Sequence, residues 1–356
     1  DSCYTNRLSI LVAITMTLPT NHPDVKTGKI GLLLVNLGTP DDPSTSSVRR
    51  YLKEFLSDRR VVDIPRLIWL PILHGIILNT RPKRSAAAYK KIWREADNES
   101  PLRYFTAAQS HQLALQWPDL VVDYAMRYGN PSLSEKMAAM TKQGCDRILV
   151  VPLYPQYSAT TNASVSDAVF DYLKAQLWQP TIRIAHPWYR HPAYIGALAA
   201  QVQAHLASVT EEPDKILLSF HGLPKESLPK GDPYYCHCQV TGRLLAEALG
   251  WPTDRVLISF QSRFGPAKWL QPYTSDTFAA LPAQGVKNLL VLTPGFATDC
   301  LETLEEIGME GVETFEEAGG EHCTLLPCLN DSELGMAMLT AVLTEELAGW
   351  YSPEQA

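Results

Sequence analysis

From Ile30 onward the chain alternates short apolar runs with stretches of helical period, and Gly-, Pro- or Asn-bearing turns separate them. Runs at 30–36, 120–126, 147–153, 180–186, 215–220, 255–260, 287–293 and 323–327 have the length and the aliphatic, β-branched character of buried parallel strands. Segments of 3.6-residue period lie between them, which predicts an α/β fold of the doubly wound kind. Eight strands in two sets of four predict two similar Rossmann-like domains, each a four-stranded parallel sheet flanked by helices.

An internal repeat supports the duplication. Leu33-Leu-Val-Asn-Leu37-Gly-Thr-Pro40 matches Leu217-Leu-Ser-Phe-His221-Gly-Leu-Pro224 at an offset of 184. Tyr124-Ala-Met-Arg127-Tyr128-Gly129 matches Phe260-Gln-Ser-Arg263-Phe264-Gly265 at 136, and the Gln143-Gly144 strand matches Gln284-Gly285 at 141. Three matches in one order imply a doubled domain. The expected division is 29–190 for the first domain, 191–330 for the second and 331–356 for a C-terminal helix and tail. The first two offsets differ by 48, which places an insertion in the first half near 57–105. That insertion is strongly apolar around Val61–Leu78 and carries Trp69. It reads either as an ordinary buried helix or as a greasy lip over a cleft, able to admit a flat ligand or touch a membrane surface.

Composition narrows the class. A chain of 356 residues, 46% hydrophobic and 19% charged, is globular and large enough for two domains. Its net charge of −7 and lack of a Lys/Arg run argue against a nucleic-acid partner. Seven thinly spread cysteines suit a reducing cytoplasm better than a disulfide framework. Cys236-His237-Cys238 and Cys323-x4-Cys328 offer soft ligands without forming a CxxC pair. The apolar run at 8–18 is too short to span a bilayer, so 1–28 is expected to be a poorly ordered leader.

The chemistry gathers at strand ends, where α/β folds place their ligands. After the strand ending near Thr293, Pro294-Gly295 break the run, and a helix is expected to open at Thr298 or Asp299. Asp299, Glu302 and Glu306 would then share one helix stripe. Asp299 with Glu302 also has the form of a capping box, which needs no catalytic role. His221 ends another buried strand, and Gly222 after it lets the backbone turn. First and third strands are often neighbours in such sheets, so His221 and Glu302 are expected to approach each other as a pair able to take protons or hold a divalent metal. Tyr154-Pro-Gln-Tyr157-Ser158, Arg127-Tyr128, Trp188-Tyr189, Tyr234-Tyr235 and Trp269 would supply flat apolar walls with a few cationic and hydroxyl groups.

Taken in order, these motifs resemble the ferrochelatase family, from about Lys29 to Trp350. The resemblance rests on Leu33–Pro40, Tyr154-Pro-Gln-Tyr-Ser158, Leu218-Ser-Phe-His-Gly-Leu-Pro224, Gly231-Asp-Pro-Tyr234, Gln261-Ser-x-Phe-Gly-Pro-x2-Trp269 and Asp299-x2-Glu302-Thr-Leu-x-Glu306. It implies two chelatase-type domains with a porphyrin between them, ferrous iron as substrate and no required cofactor. It implies His221 as the catalytic histidine and Glu302 as its acidic partner, both meeting the iron, with Asp299 and Glu306 continuing an acidic path. Leu37, Arg81, Tyr89, Arg127, Tyr128, Tyr157, Ser158 and Trp269 match positions that line the porphyrin pocket or its lip.

Two departures bear on function. Many relatives carry His where this chain has Cys300, which weakens a metal-shuttling role at that position. At Leu37 the coproporphyrin-using branch has Tyr, so Leu favours protoporphyrin IX as the partner of ferrous iron. Cys145, Cys236, Cys238, Cys323 and Cys328 leave a [2Fe-2S] cluster open, as some bacterial relatives have. The expected product is protohaem, made in the cytoplasm with peripheral membrane contact through the lip. A chelatase for cobalt or another tetrapyrrole and a two-lobed ligand-binding protein are the alternatives.

Overall fold

The computed structural model describes residues 27–263 and 265–351; the leader expected at 1–28 lies, but for its last two residues, outside them. The first half runs β1 (Lys29–Thr39), α1 (Thr45–Ser57), α2 (Arg66–Ile72), α3 (Leu78–Ile92), α4 (Pro101–Gln116), β2 (Val121–Gly129), α5 (Leu133–Gln143), β3 (Cys145–Pro152), α6 (Ser164–Lys174) and β4 (Thr181–Ile184). It continues as α7 (Pro192–Ser208), β5 (Lys215–His221), α8 (Tyr234–Leu249), β6 (Val256–Gln261), α9 (Thr274–Ala280) and β7 (Asn288–Leu292). The last elements are α10 (Leu301–Leu304), α11 (Val312–Glu317), β8 (His322–Leu325) and α12 (Glu333–Leu347). Turns of π-helix lie at Leu73–Ile77, Ala159–Ala163 and Glu306–Gly311.

All eight expected strands are present, in two four-stranded sheets ordered β2-β1-β3-β4 and β6-β5-β7-β8. Every neighbouring pair is parallel. The two sheets therefore repeat one topology. The central strands are legible because they are buried on both faces: Leu32, Leu33, Leu34 and Val35 are all fully buried, and so are Ile216, Leu217 and Leu218.

The register refines the repeat. Leu33 pairs with Val150 and its equivalent Leu217 with Val291, the offset of 141 read from the sequence. Leu34 pairs with Tyr124 and Leu218 with Ile258, an offset of 134 (258 less 124) where the sequence match gives 136. A slip of two keeps every side chain on its own face, so the motif survives it undetected. Its consequence is local: the counterpart of Arg127-Tyr128 is Gln261-Ser262, and the insertion grows to 50 residues (184 less 134).

A single apolar layer joins the halves, running from Leu32 and Leu34 of β1 to Ile216 and Leu218 of β5 through Leu198 and Val202 of α7. Helix α12 adds Leu339 and Leu343 to this layer. It lies against the first half, where Arg183 donates to the Glu346 and Ala348 carbonyls at 3.1 and 2.9 Å. At the strand ends, Asn36 of β1 donates to Thr106 and to Thr298, both at 3.0 Å, and so fixes β1 to the segment that precedes α10. Glycine is required beside both first-strand ends. A Cβ on Gly38, whose φ is +117°, would meet the Tyr128 carbonyl at 1.8 Å, and one on Gly222 would meet the Gln261 carbonyl at 2.6 Å.

The insertion is buried on one face and exposed on the other. Trp69 is buried and donates from its indole to the Leu56 carbonyl at 2.7 Å. Leu67, Ile68 and Ile76 are 93%, 58% and 57% exposed, an apolar rim outside the core.

Candidate active site

His221 stands at the carboxyl end of β5, between β6 and β7. Its Nδ1 lies 2.7 Å from the Gly222 carbonyl, which can only accept, so Nδ1 carries the proton and Nε2 is the basic nitrogen. The Trp269 ring packs over Gly222, where an added Cβ would come within 3.1 Å of the indole. Trp269 therefore flanks the imidazole.

Opposite stands Glu306. Its carboxylate accepts the Ser262 backbone N–H at 2.7 Å, the Ser262 hydroxyl at 2.5 Å and the Gln261 side-chain amide at 3.3 Å. Burial nevertheless raises its pKa above the ordinary carboxyl value, and the negative charge of Glu302 adds to that. The Ser262 donors and His221 pull the other way. His221 and Glu302 both act on the charge of Glu306.

Glu302 heads α10, and its backbone carbonyl accepts from Gln261 at 2.7 Å. Its charge reaches across to the first half. The buried phenols of Tyr51 and Tyr89 are pushed well above their ordinary range, mainly by burial and further by Glu302. Burial and Glu302 do the same to the Cys300 thiol. Burial lowers the pKa of Arg81, while Glu302, Tyr51 and Tyr89 oppose it. A small cavity lined by Thr39, Tyr51, Tyr89, Cys300 and Glu302 lies between the halves.

The stripe expected from Asp299 is not formed. The helix begins at Leu301, with Cys300 as its cap and Thr303 completing the capping box, so the Asp299–Glu302 box is absent too. Asp299 is drawn the other way. Its two oxygens accept from Asn330 at 2.7 Å, Thr303 at 3.0 Å and the Cys328 N–H at 3.2 Å, and the side chain is 4% exposed. Hydrogen bonds to a residue 31 positions away outcompete a local cap. Glu302 and Glu306 remain in line, with the π turn opening at Glu306.

Arg127 and Tyr128 gather around a different acid. Asp58, at the end of α1, accepts from Arg127, the Tyr128 hydroxyl and Ser164 at 2.7, 2.7 and 2.6 Å. Burial raises its pKa, but these donors, together with the Arg60 N–H at 2.7 Å, hold its carboxyl below the ordinary range. An aromatic row connects this cluster with Glu302: Tyr128 meets Phe55 at 5.1 Å, Phe55 stacks on Tyr51 at 6.0 Å, and Tyr51 meets Tyr89 edge-on at 6.5 Å. Leu37 packs against the same cluster. Tyr157 and the buried Ser158 lie apart, after β3, where the Ser158 hydroxyl meets Thr160 at 2.8 Å.

Sequence reasoning missed Tyr51, Asp58, Gln261 and Ser262 as members of the site. Gln261 and Ser262 sit inside a quoted motif and follow a strand, a signal that was available. Tyr51 reads as one more apolar position of α1.

The described cysteines do not assemble a cluster site. Cys145 opens β3 in one sheet and Cys323 lies on β8 in the other, while Cys236 is exposed on α8. Among the described residues no three His, Cys, Asp or Glu side chains converge to hold a metal ion. The described residues therefore do not fit a [2Fe-2S] group.

A family model described as Ferrochelatase matches residues 29–347. The ferrochelatase of Rhizobium meliloti is 54% identical over 338 residues, 94% of this chain and 100% of that protein. That of Allorhizobium ampelinum is 53% identical, covering 95% and 99% of the two chains. Among solved structures, SirB from Bacillus subtilis with Fe3+ superposes with a TM-score of 0.55 at 14% identity, over 90% of this chain and 96% of that one. The sirohydrochlorin chelatase SirB from Bacillus subtilis subspecies spizizenii, in complex with cobalt, gives 0.54 at 12% identity, over 90% and 97%. These two establish the two-domain chelatase fold and nothing finer. With the family model spanning most of the described chain and relatives above half identity along their whole length, the chain belongs to the ferrochelatase family.

Proposed function

We propose that this chain is a ferrochelatase in the working sense: it inserts ferrous iron into protoporphyrin IX and releases protohaem for haem biosynthesis. The observation that carries the reading is a partly buried carboxylate, Glu306, that feels both the imidazole of His221 and the carboxylate of Glu302 at the carboxyl end of the second sheet. A free porphyrin must lose two pyrrole protons as iron arrives. In an apolar cleft neither a bare dication nor a ring dianion is tolerable alone, so proton loss and metal entry have to be coupled.

His221, with Nε2 basic, takes a pyrrole proton on one face of the ring. Glu306, whose proton affinity is raised by burial, is the next acceptor, and Glu302 stands beside it. Glu302 and His221 are the groups we assign to meet the iron substrate, with Glu306 on the path behind them. Asp299 has its oxygens committed to Asn330, Thr303 and Cys328 and is better suited to hold the start of α10. The row Tyr89, Tyr51, Phe55 and Tyr128 offers the flat wall a macrocycle stacks on, with Leu37 beside it. Arg127, Tyr157, Ser158 and Trp269 complete the pocket in this reading. An apolar Leu37 favours protoporphyrin IX. No resident cofactor is needed.

We divide the chain at 29–190 and 191–330, with 331–356 as a C-terminal helix and tail whose helix α12 is held to the first half through Arg183. Six described cysteines are free thiols, in keeping with a reducing cytoplasm. No helix of the described residues is long and apolar enough to cross a membrane, and the exposed Leu67, Ile68 and Ile76 would make any contact with a bilayer peripheral.

The test is spectroscopic. Under anaerobic conditions, protoporphyrin IX and ferrous iron with the protein should yield the absorption of protohaem, with iron outrunning cobalt. His221→Ala should abolish insertion while porphyrin still binds; near-normal turnover in that variant would refute the assignment.

A further inference from the structure

Where the chain passes from β3 into the π turn that leads to α6, three consecutive residues, Tyr157, Ser158 and Ala159, are held from the other half of the chain. The Ala159 N–H donates to Asp232 Oδ2 at 2.8 Å, and the Ser158 hydroxyl donates to the same oxygen at 3.4 Å. The Tyr157 N–H donates to His237 Nδ1 at 3.2 Å. Asp232 closes the loop that follows His221 and Gly222, and its Oδ1 accepts the Tyr234 N–H at 3.0 Å where α8 begins. His237 lies in the first turns of α8, with its ring stacked on Tyr189 at 3.6 Å between centroids and 7° between planes. One turn further along, Thr241 accepts from the Gln156 side chain at 3.1 Å.

An imidazole that accepts through Nδ1 carries its proton on Nε2 and is neutral. Burial, helped by His186 and Arg190, holds its pKa below the usual value against the pull of Asp232, so it remains an acceptor at neutral pH. This use absorbs the Cys236-His237-Cys238 segment without any metal.

We propose that Asp232 and His237 are positioning residues for the porphyrin: acting across the two halves, they fix the backbone of Tyr157–Ala159 and thereby the wall the macrocycle meets. The inference rests on the reading of Tyr157 and Ser158 as pocket residues. Neither Asp232 nor His237 touches a reacting atom, so their removal alters how the ring is held rather than how protons leave it. A wall freed to move by about 1 Å degrades binding strongly even when the reacting groups stay in place.

Four variants of the full chain test this with protoporphyrin IX, read by fluorescence titration and by anaerobic kinetics. Asp232→Asn keeps an acceptor for Tyr234 but turns an amide N–H2 toward the Ala159 N–H. It is expected to raise the porphyrin Kd and KM about tenfold while kcat stays within about twofold. His237→Phe keeps a ring on Tyr189 and loses the acceptor, and the same shift of several-fold is expected. His237→Asn can place its Oδ1 where Nδ1 stood and should recover most of the loss. A merely structural role would lower the unfolding midpoint without separating KM from kcat and without that rescue, and such a result overturns the proposal. Tyr157→Ala is the reference for the pocket itself. If it weakens porphyrin binding while Asp232→Asn and His237→Phe leave it unchanged, the positioning role is wrong. If Tyr157→Ala has no effect on binding, the pocket reading fails and the positioning role falls with it.

Discussion

Ser262 holds φ at +62°, in the left-handed region that side chains rarely adopt, at a cost of about 1 kcal/mol. The conformation aims its N–H and its hydroxyl at the same carboxylate, Glu306. Both donors favour the charged form, while burial and Glu302 favour the protonated one, and the raised pKa shows which side prevails. Ser262→Ala deletes one donor and should raise the Glu306 pKa further. A proton acceptor must be deprotonated to act, so activity is lost as pH falls through its pKa. The acid limb of kcat/KM against pH should therefore move to higher pH in Ser262→Ala; a limb that stays put or moves down would remove Glu306 from the proton path. Ser262→Gly serves as the control, because it relieves the backbone and loses the same hydroxyl. Glu302→Gln separates two roles in the same manner. Helix capping here belongs to Cys300 and Thr303, so the variant should insert iron far more slowly while losing well under about 1 kcal/mol of stability in urea.

Among the elements, the strands were readable because burial on both faces leaves an unbroken apolar run, as Leu32–Val35 do. Only the adjacency of first and third strands was expected, from the habit of such sheets, and the doubled topology shows it twice, as β1 beside β3 and β5 beside β7. The start of α10 was not readable. Asp299 has the local chemistry of a cap, and partners brought near by the chain between, Asn330 and the Cys328 N–H, decide otherwise. Asp58 was hidden for the same reason. It closes α1 in a run of mixed charge, and three of its four donors come from β2 and α6, the fourth being the nearby Arg60 N–H. The two strand-end pairs show what the duplication has done with one plan: Arg127-Tyr128 grip Asp58 and Ser164, and Gln261-Ser262 grip Glu306. The first is a structural lock. Asp58→Asn should cost about 2 kcal/mol in urea unfolding at neutral pH, the loss expected where a charged acceptor is taken from buried donors. Its folded pKa lies below the unfolded one, so the stability it supplies is present above the ordinary carboxyl range and is lost as pH falls through the folded value. The gap between the variant and the parent should consequently close in acid, and a gap that is constant with pH would contradict the lock.

Over the whole molecule, the insertion of the first half turns one face inward and the other out. Trp69 is pinned to the Leu56 carbonyl, and Leu73 and Leu78 fill the space beneath. With those anchors fixed, Leu67, Ile68 and Ile76 have nowhere to go but outward, and Arg59 and Arg66 are exposed near them in the chain. The aromatic row packs in the same cluster as Trp69 and Leu73, and with that row assigned as the macrocycle's wall we propose the rim as the entrance an apolar porphyrin would use. Each of the three side chains would gain about 1.5–3 kcal/mol if fully buried in lipid, enough for reversible binding at an interface and far short of insertion. The overall charge of −7 opposes approach to an anionic surface, which leaves apolar contact and the local arginines to hold the rim there. Sedimentation with vesicles of anionic phospholipid should therefore carry the parent chain down and leave Leu67→Glu/Ile68→Glu largely in the supernatant. The same double variant should metallate protoporphyrin at the parent's rate when the porphyrin is supplied in detergent, and more slowly when it is supplied in vesicles. Equal rates from both sources would mean that the rim has no part in delivering the substrate, and that its exposure is a feature of the insertion's packing alone.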